Sequence, residues 1–191
     1  MQHVDYHLDP ELISSLTSIV GERWDSVGTA NRIIGDLITC PALLVTNLST
    51  VAITILDNEV FIGGEYETLT QVARTTVDDS LKKAKKQGTL FFHGKGEQVT
   101  SVHIIREELV KISGGIQQFK VSTDSGVVVC LETMVLALQR RGFHGFDFKL
   151  LRAPTLEEIN FYPSEFEWPL NLNVTYEYSR NLIQATRRGG E

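Results

Sequence analysis

"TLTQVARTTVDDSLKKAKKQG", Thr68–Gly88, is the stretch whose reading sets the fold class. Leu69, Val72, Ala73, Val77, Leu81 and Ala84 recur at helical spacing, the pattern of one buried helix face. Thr68 and Gln71 have the separation of a capping box, which satisfies two of the amides left over at a helix start. Asp78 and Asp79 stand four residues before Lys82 and Lys83, the favourable order for helix ion pairs. Lys82, Lys83, Lys85 and Lys86 complement the negative end of the helix dipole, and Gly88 is a natural stop. The spacing therefore predicts one amphipathic helix over 68–87.

Working outward toward the N-terminus, Asp9-Pro10 opens a second helix running to about Trp24, with Leu12, Ile13, Leu16, Ile19 and Val20 on one face. Pro10 suits the first helical position because its missing N–H would be unpaired there anyway. Between Ser26 and Cys40, Ile33, Ile34, Leu37 and Ile38 also have helical spacing, bounded by Pro41. The runs "ALLVTNLSTVAITIL" and "EVFIGG" meet at Asp57-Asn58, a dipeptide that tolerates positive φ, so a hairpin turn is predicted there.

Toward the C-terminus the pattern turns to strands: "TLFFH", "VTSVHII", "ELVKIS", "IQQFKVS" and "GVVVCL", separated by "GKGEQ", "SGG" and "TDSG". Glu132–Arg141 returns to helical spacing, with Val135, Leu136 and Leu138 and a stop at Gly142, and "FDFKLL" reads as a further strand. In "PLNLNVTYEYS", Pro169–Ser179, Leu170, Leu172, Val174, Tyr176 and Tyr178 alternate with polar residues without interruption. That is a strand over about 170–179 with one buried and one wet face, placed in the home sheet because burial fixes its register. The sum is an α+β fold: a mostly antiparallel β-sheet with about three helices packed on it, in a single domain over 1–191.

The 191 residues suffice for a core without disulfides or metal. The net charge of −6 argues against a general or sequence-specific nucleic-acid binder, which needs clustered Lys and Arg. No apolar run approaches the ~20 residues of a membrane span, and "MQHVDYHLDPE" has no secretion-signal pattern. Cys40 and Cys130, each beside apolar residues, read as buried thiols in a reducing compartment.

Several short motifs suggest chemistry. "GKGE" at 94–97 lacks the Ser or Thr and the following helix of a phosphate loop and reads as a hairpin turn. Asp124-Ser125-Gly126 resembles the Asp-Ser/Thr-Gly motif of aspartic proteases, which implies Asp124 as a catalytic carboxyl, but the same tripeptide suits a tight turn. His3, Asp5 and His7 fall on one side of an extended segment, either as metal ligands or as the polar face of a strand, the latter preferred for want of a fourth ligand. No catalytic set emerges, and no cofactor or metal is expected.

The segment 152–169 differs in kind. It holds three of the five prolines together with Phe161, Tyr162, Phe166 and Trp168. Thr155 and Glu158 suggest one capped helical turn. Large rings in a stiff segment either cover the home core or anchor a partner. From Ile116 to Arg180 the order resembles that of small head–tail connector or tail-terminator proteins of tailed bacteriophages. There a strand leads into a helix, as "FKVSTDSGVVVCLETMVLALQRRG" would, followed by a long connection and a final amphipathic strand. The resemblance implies a non-enzymatic virion subunit, assembled in the host cytoplasm, forming a homo-oligomeric ring between other virion proteins. Phe161, Tyr162, Phe166, Trp168, Tyr176 and Tyr178 are then interface candidates, and Lys82, Lys83, Lys85 and Lys86 face either solvent or an acidic neighbour. Two alternatives remain: a small acidic cytoplasmic immunity or inhibitor protein binding one partner, and an aspartic-protease-like enzyme using Asp124.

Overall fold

A computed structural model describes residues 1–62, 65–91, 96–113, 118–141, 147–160 and 175–186. The strands in chain order are β1 (Gln2–Tyr6), β2 (Trp24–Thr29), β3 (Ile33–Ile34), β4 (Leu37–Thr39), β5 (Ala42–Thr46), β6 (Thr50–Ile62) and β7 (Glu65–Arg74). They continue as β8 (Leu90–Phe91), β9 (Val99–Ser113), β10 (Phe119–Leu131), β11 (Val135–Arg140), β12 (Asp147–Ala153) and β13 (Thr175–Gln184). The helices are short: α1 (Pro10–Ser18), α2 (Asp78–Gln87) and α3 (Leu156–Asn160). One sheet runs β13-β9-β10-β11-β12-β4-β3, with β1 added in parallel to β10; the other runs β7-β6-β5-β2-β8.

The expected α+β fold is overturned. The described chain is mostly β, built from two sheets with a shared core. From the five-stranded sheet come Trp24, Val27, Leu44, Ile53, Ile55 and Val72; the facing sheet supplies Val102, Ile104, Val127, Val129, Leu136, Leu138 and Phe148. α1 closes the same core with Leu12 and Leu16. Its start is as the sequence predicts: Asp9 accepts from the Leu12 amide at 2.7 Å and Pro10 takes the first turn. The helix stops at Ser18 rather than near Trp24. Gly21, at φ 89°, reverses the chain, and Trp24 is buried in β2. The 26–40 segment, ambiguous in sequence, forms the end of β2 with β3 and β4.

Thr68–Gly88 divides in two. Its first part is strand β7, antiparallel to β6, and only Asp78–Gln87 is helical. The cause lies in the long β6–β7 hairpin. In its first half Ile53, Ile55 and Val72 point into the inter-sheet core. In its distal half Val60, Ile62 and Leu69, on the opposite face of the strands, pack on Leu109, Phe119 and Val121. The buried face therefore switches near Asp57-Asn58, so Leu69 and Val72 are both buried although three residues apart. A face switch within a strand imitates helical spacing. For the same reason Asp57-Asn58 is not a turn: β6 continues to Ile62, which pairs with Glu65.

The helix expected over 132–141 is also replaced by a strand. All of Val135–Arg140 is buried, with Leu136 and Leu138 in the inter-sheet core and Val135 and Ala137 in a second cluster with Ile105, Val128 and Ile159. A strand covered on both faces shows no alternation. Where the phage-connector resemblance placed a helix, Val135–Arg140 is a strand. Likewise "VTSVHII" and "ELVKIS" are one strand, β9, and "TDSG" lies inside β10. α3 forms where Thr155 caps it, the Glu158 amide donating to Thr155 Oγ1 at 3.4 Å. The last strand begins at Thr175 in the described chain and runs to Gln184, past the expected end, while 170–174 lie outside the described residues.

Candidate functional site

A polar belt crosses the larger sheet where the sequence showed breaks between strands. In register, Arg106 lies opposite Asp124, Glu107 opposite Thr123 and Glu108 opposite Ser122; on the other side Arg180 lies opposite Glu107. On one face the Arg106 guanidinium donates through Nε to Asp124 Oδ1 at 2.8 Å and through NH2 to Oδ2 at 3.1 Å. The Leu8 amide donates to Asp124 Oδ2 at 2.8 Å. The hydrogen bond to Asp124 raises the Arg106 pKa above its ordinary value. Lys120 and Glu108 pair at 2.8 Å on the rim.

Asp124-Ser125-Gly126 is a β-bulge: Asp124 faces Arg106 and Gly126 faces Ile105, leaving Ser125 as the extra residue. Gly126 is needed for close approach, since a Cβ there would lie 2.2 Å from the Leu138 carbonyl oxygen. Each residue of the motif thus has a structural task. Asp124 is fully buried and meets a cation. A protease aspartate needs a second carboxyl and access to substrate, so this geometry opposes the protease reading.

On the opposite face Glu107 accepts from the Tyr178 hydroxyl at 2.7 Å. Arg180 NH2 donates to Gln139 Oε1 at 3.0 Å and to the Ile159 carbonyl at 3.4 Å. Arg140, on the inter-sheet side of β11 with Leu136 and Leu138, donates through NH1 to Thr70 Oγ1 at 3.1 Å. Burial pushes the Arg140 pKa down to about 10, against the opposing pull of Glu107. Burial also lowers Arg180, with Glu107 and Tyr178 acting the other way. These contacts fasten β13, α3 and the β6–β7 hairpin to the central strands. Tyr178, expected at an interface, is partly engaged here, although 38% of it is exposed.

The remaining candidates are dispersed. His3 and Asp5 are exposed on the outer face of β1, as the strand reading requires, whereas His7 Nε2 lies 3.0 Å from Ser122 Oγ. Among the described residues no group of three His, Cys, Asp or Glu side chains could hold a metal. Cys40 packs beside the inter-sheet core and Cys130 beside the α3 cluster, each half-buried, and they form no disulfide. Gly96 has the positive φ of a turn, 71°; Gly94 and Lys95 lie outside the described residues. So do Phe161, Tyr162, Phe166 and Trp168. Tyr176 is placed by its backbone opposite Lys111 at the start of β13.

Lys82, Lys83, Lys85 and Lys86 are all exposed on α2, whose Leu81 and Ala84 pack on Leu43, Val45 and Ala52 of the smaller sheet. The sequence reading missed an exposed apolar group among the described residues. On the β6–β7 hairpin Leu56 is 50%, Phe61 49% and Tyr66 74% exposed. Phe61 and Tyr66 are directly paired, their rings edge to face at 5.1 Å. The available signal was Gly63-Gly64, a favoured hairpin dipeptide with Phe61 and Tyr66 placed symmetrically about it. β7 and β13 are each the terminal strand of a sheet. Comparison with protein-family models, curated proteins and solved structures finds no match to this chain.

Proposed function

We propose that this chain is a non-enzymatic structural subunit that assembles with copies of itself through its sheet edges. In the narrower form suggested by the phage-connector resemblance, it is a ring-forming virion protein joined to other virion proteins. The observation that supports assembly is the location of its exposed apolar side chains. Among the described residues, five of the nine large exposed ones lie at or beside the sheet edges: Tyr66, Tyr178 and Ile183 on the terminal strands β7 and β13, and Leu56 and Phe61 on β6 beside β7. Terminal strands present unpaired backbone donors and acceptors, and soluble proteins usually blunt them with charge, Pro or a covering loop. Aromatic residues clustered on such an edge are the residue types that anchor protein interfaces.

The test is the absolute mass of the full chain by light scattering across a concentration series. A closed multiple of 21.4 kDa that persists on dilution is the expected result. A monomer at every concentration would overturn self-assembly and favour the immunity or inhibitor protein that binds a single partner.

A further inference from the structure

Charge is segregated along this chain. From Ile33 to Ala73 there is no Lys or Arg, while the same stretch holds Asp36, Asp57, Glu59, Glu65 and Glu67. Four lysines then fall within Lys82–Lys86. The fold turns this pattern into two surfaces. Asp57, Glu59 and Phe61 alternate along β6 and so share one face of the distal hairpin, all three exposed, with Tyr66 paired across from Phe61. Lys82, Lys83, Lys85 and Lys86 form the solvent side of α2.

Among the described residues neither surface is neutralised. Lys83 reaches, among the described residues, only the Asn31 side-chain oxygen, at 3.3 Å. Among the described residues, Lys82, Lys85 and Lys86 make no ion pair, and neither do Asp57 and Glu59. Nor do the two surfaces lie side by side. α2 packs over Ala52 near the start of β6, while the acidic face begins at Asp57, about 17 Å further along at ~3.3 Å per residue. Beyond Asp57 the hairpin leaves the inter-sheet core for the Leu109 and Phe119 cluster. A single molecule therefore displays an acidic aromatic arm and a basic helix face in different places, each without an ion-pair partner among the described residues and each complementary to the other.

We infer that the distal β6–β7 arm of one copy docks on the lysine face of α2 of a second copy, with Asp57 and Glu59 meeting Lys82–Lys86 and Phe61 and Tyr66 covering the apolar stems of the lysines. The inference rests on the self-assembly proposed above and adds to its sheet edges a contact between the hairpin face and α2. Because two different patches meet, the contact repeats head to tail, and such interfaces close into rings or extend as filaments according to the rotation they impose. Lysine stems lie readily along aromatic rings while their ammonium groups reach carboxylates.

Charge reversal tests this directly, since every substituted side chain is exposed. One variant carries Asp57→Lys with Glu59→Lys; the other carries Lys82→Glu with Lys86→Glu. Each full-length variant, and their equimolar mixture, is compared with the unmodified chain by light scattering at about 0.05 M and 0.5 M salt, since screening at the higher value weakens contacts between exposed charges. The expected results are a closed multiple for the unmodified chain, at least tenfold weaker association for each variant alone, and recovery on mixing. Far-UV circular dichroism confirms that both variants are folded. Variants that assemble like the unmodified chain overturn the arm-to-helix contact and leave self-assembly standing. Loss without recovery on mixing overturns the contact as well. An unmodified chain that is monomeric throughout overturns self-assembly, and the contact with it.

Discussion

Replacing Asp124 separates a structural carboxylate from a catalytic one. Its side chain is fully buried and accepts three hydrogen bonds, two from Arg106 and one from the Leu8 amide. Breaking a buried ion pair by removing one partner typically costs about 3–5 kcal/mol. The Arg106 side chain is 28% exposed, so water recovers part of that, and the pair's share is nearer ~2 kcal/mol. Asp124→Ala also strands the buried Leu8 amide, a further ~1–2 kcal/mol. The expected loss is therefore about 3–4 kcal/mol for Asp124→Ala. Asp124→Asn keeps an oxygen for the Leu8 amide and should lose about 2 kcal/mol. The assay is urea unfolding followed by far-UV circular dichroism and by fluorescence of the two tryptophans, with coincident transitions as the check on two-state behaviour. Losses below about 1 kcal/mol for both substitutions, or an Asn variant less stable than the Ala variant, would refute the reasoning.

Three further outcomes follow from specific contacts. Gly126→Ala places a methyl group 2.2 Å from the Leu138 carbonyl oxygen, so β10 and β11 must separate; a loss of about 3 kcal/mol or more in urea unfolding is expected. Thr123 Oγ1 is buried with no hydrogen-bond partner among the described residues, so Thr123→Val, which keeps the shape and removes the hydroxyl, should leave stability unchanged or raise it by about 1 kcal/mol in the same assay. Burial pushes the Cys40 thiol up to about 11 from its ordinary 9.0. At pH 8 its thiolate fraction is then about 100-fold lower than that of an ordinary thiol, and alkylation followed by mass spectrometry should label Cys40 slowly until the protein is denatured.

The parts of this protein legible from sequence are those whose determinants are local. Asp9-Pro10 starts α1, Thr155 and Glu158 mark α3, Gly88 ends α2, and the short apolar run "FDFKLL" marks β12, because caps, fixed φ values and local apolar runs act within a few residues. The exposed lysines of α2 and the polar outer face of β1 belong to the same class. What the sequence misreported depends on partners far along the chain. β7 imitates a helix because its hairpin buries one face against the inter-sheet core and the other against β9 and β10. β11 loses its alternation because clusters cover both of its sides. Arg106–Glu107–Glu108 and Ser122–Thr123–Asp124 look like interruptions of two strands, yet antiparallel register sets each triplet against the other, and Asp124 with Arg106 becomes a buried ion pair. A charge inside a strand reads as a break until its counter-charge is brought beside it, and only the tertiary structure does that.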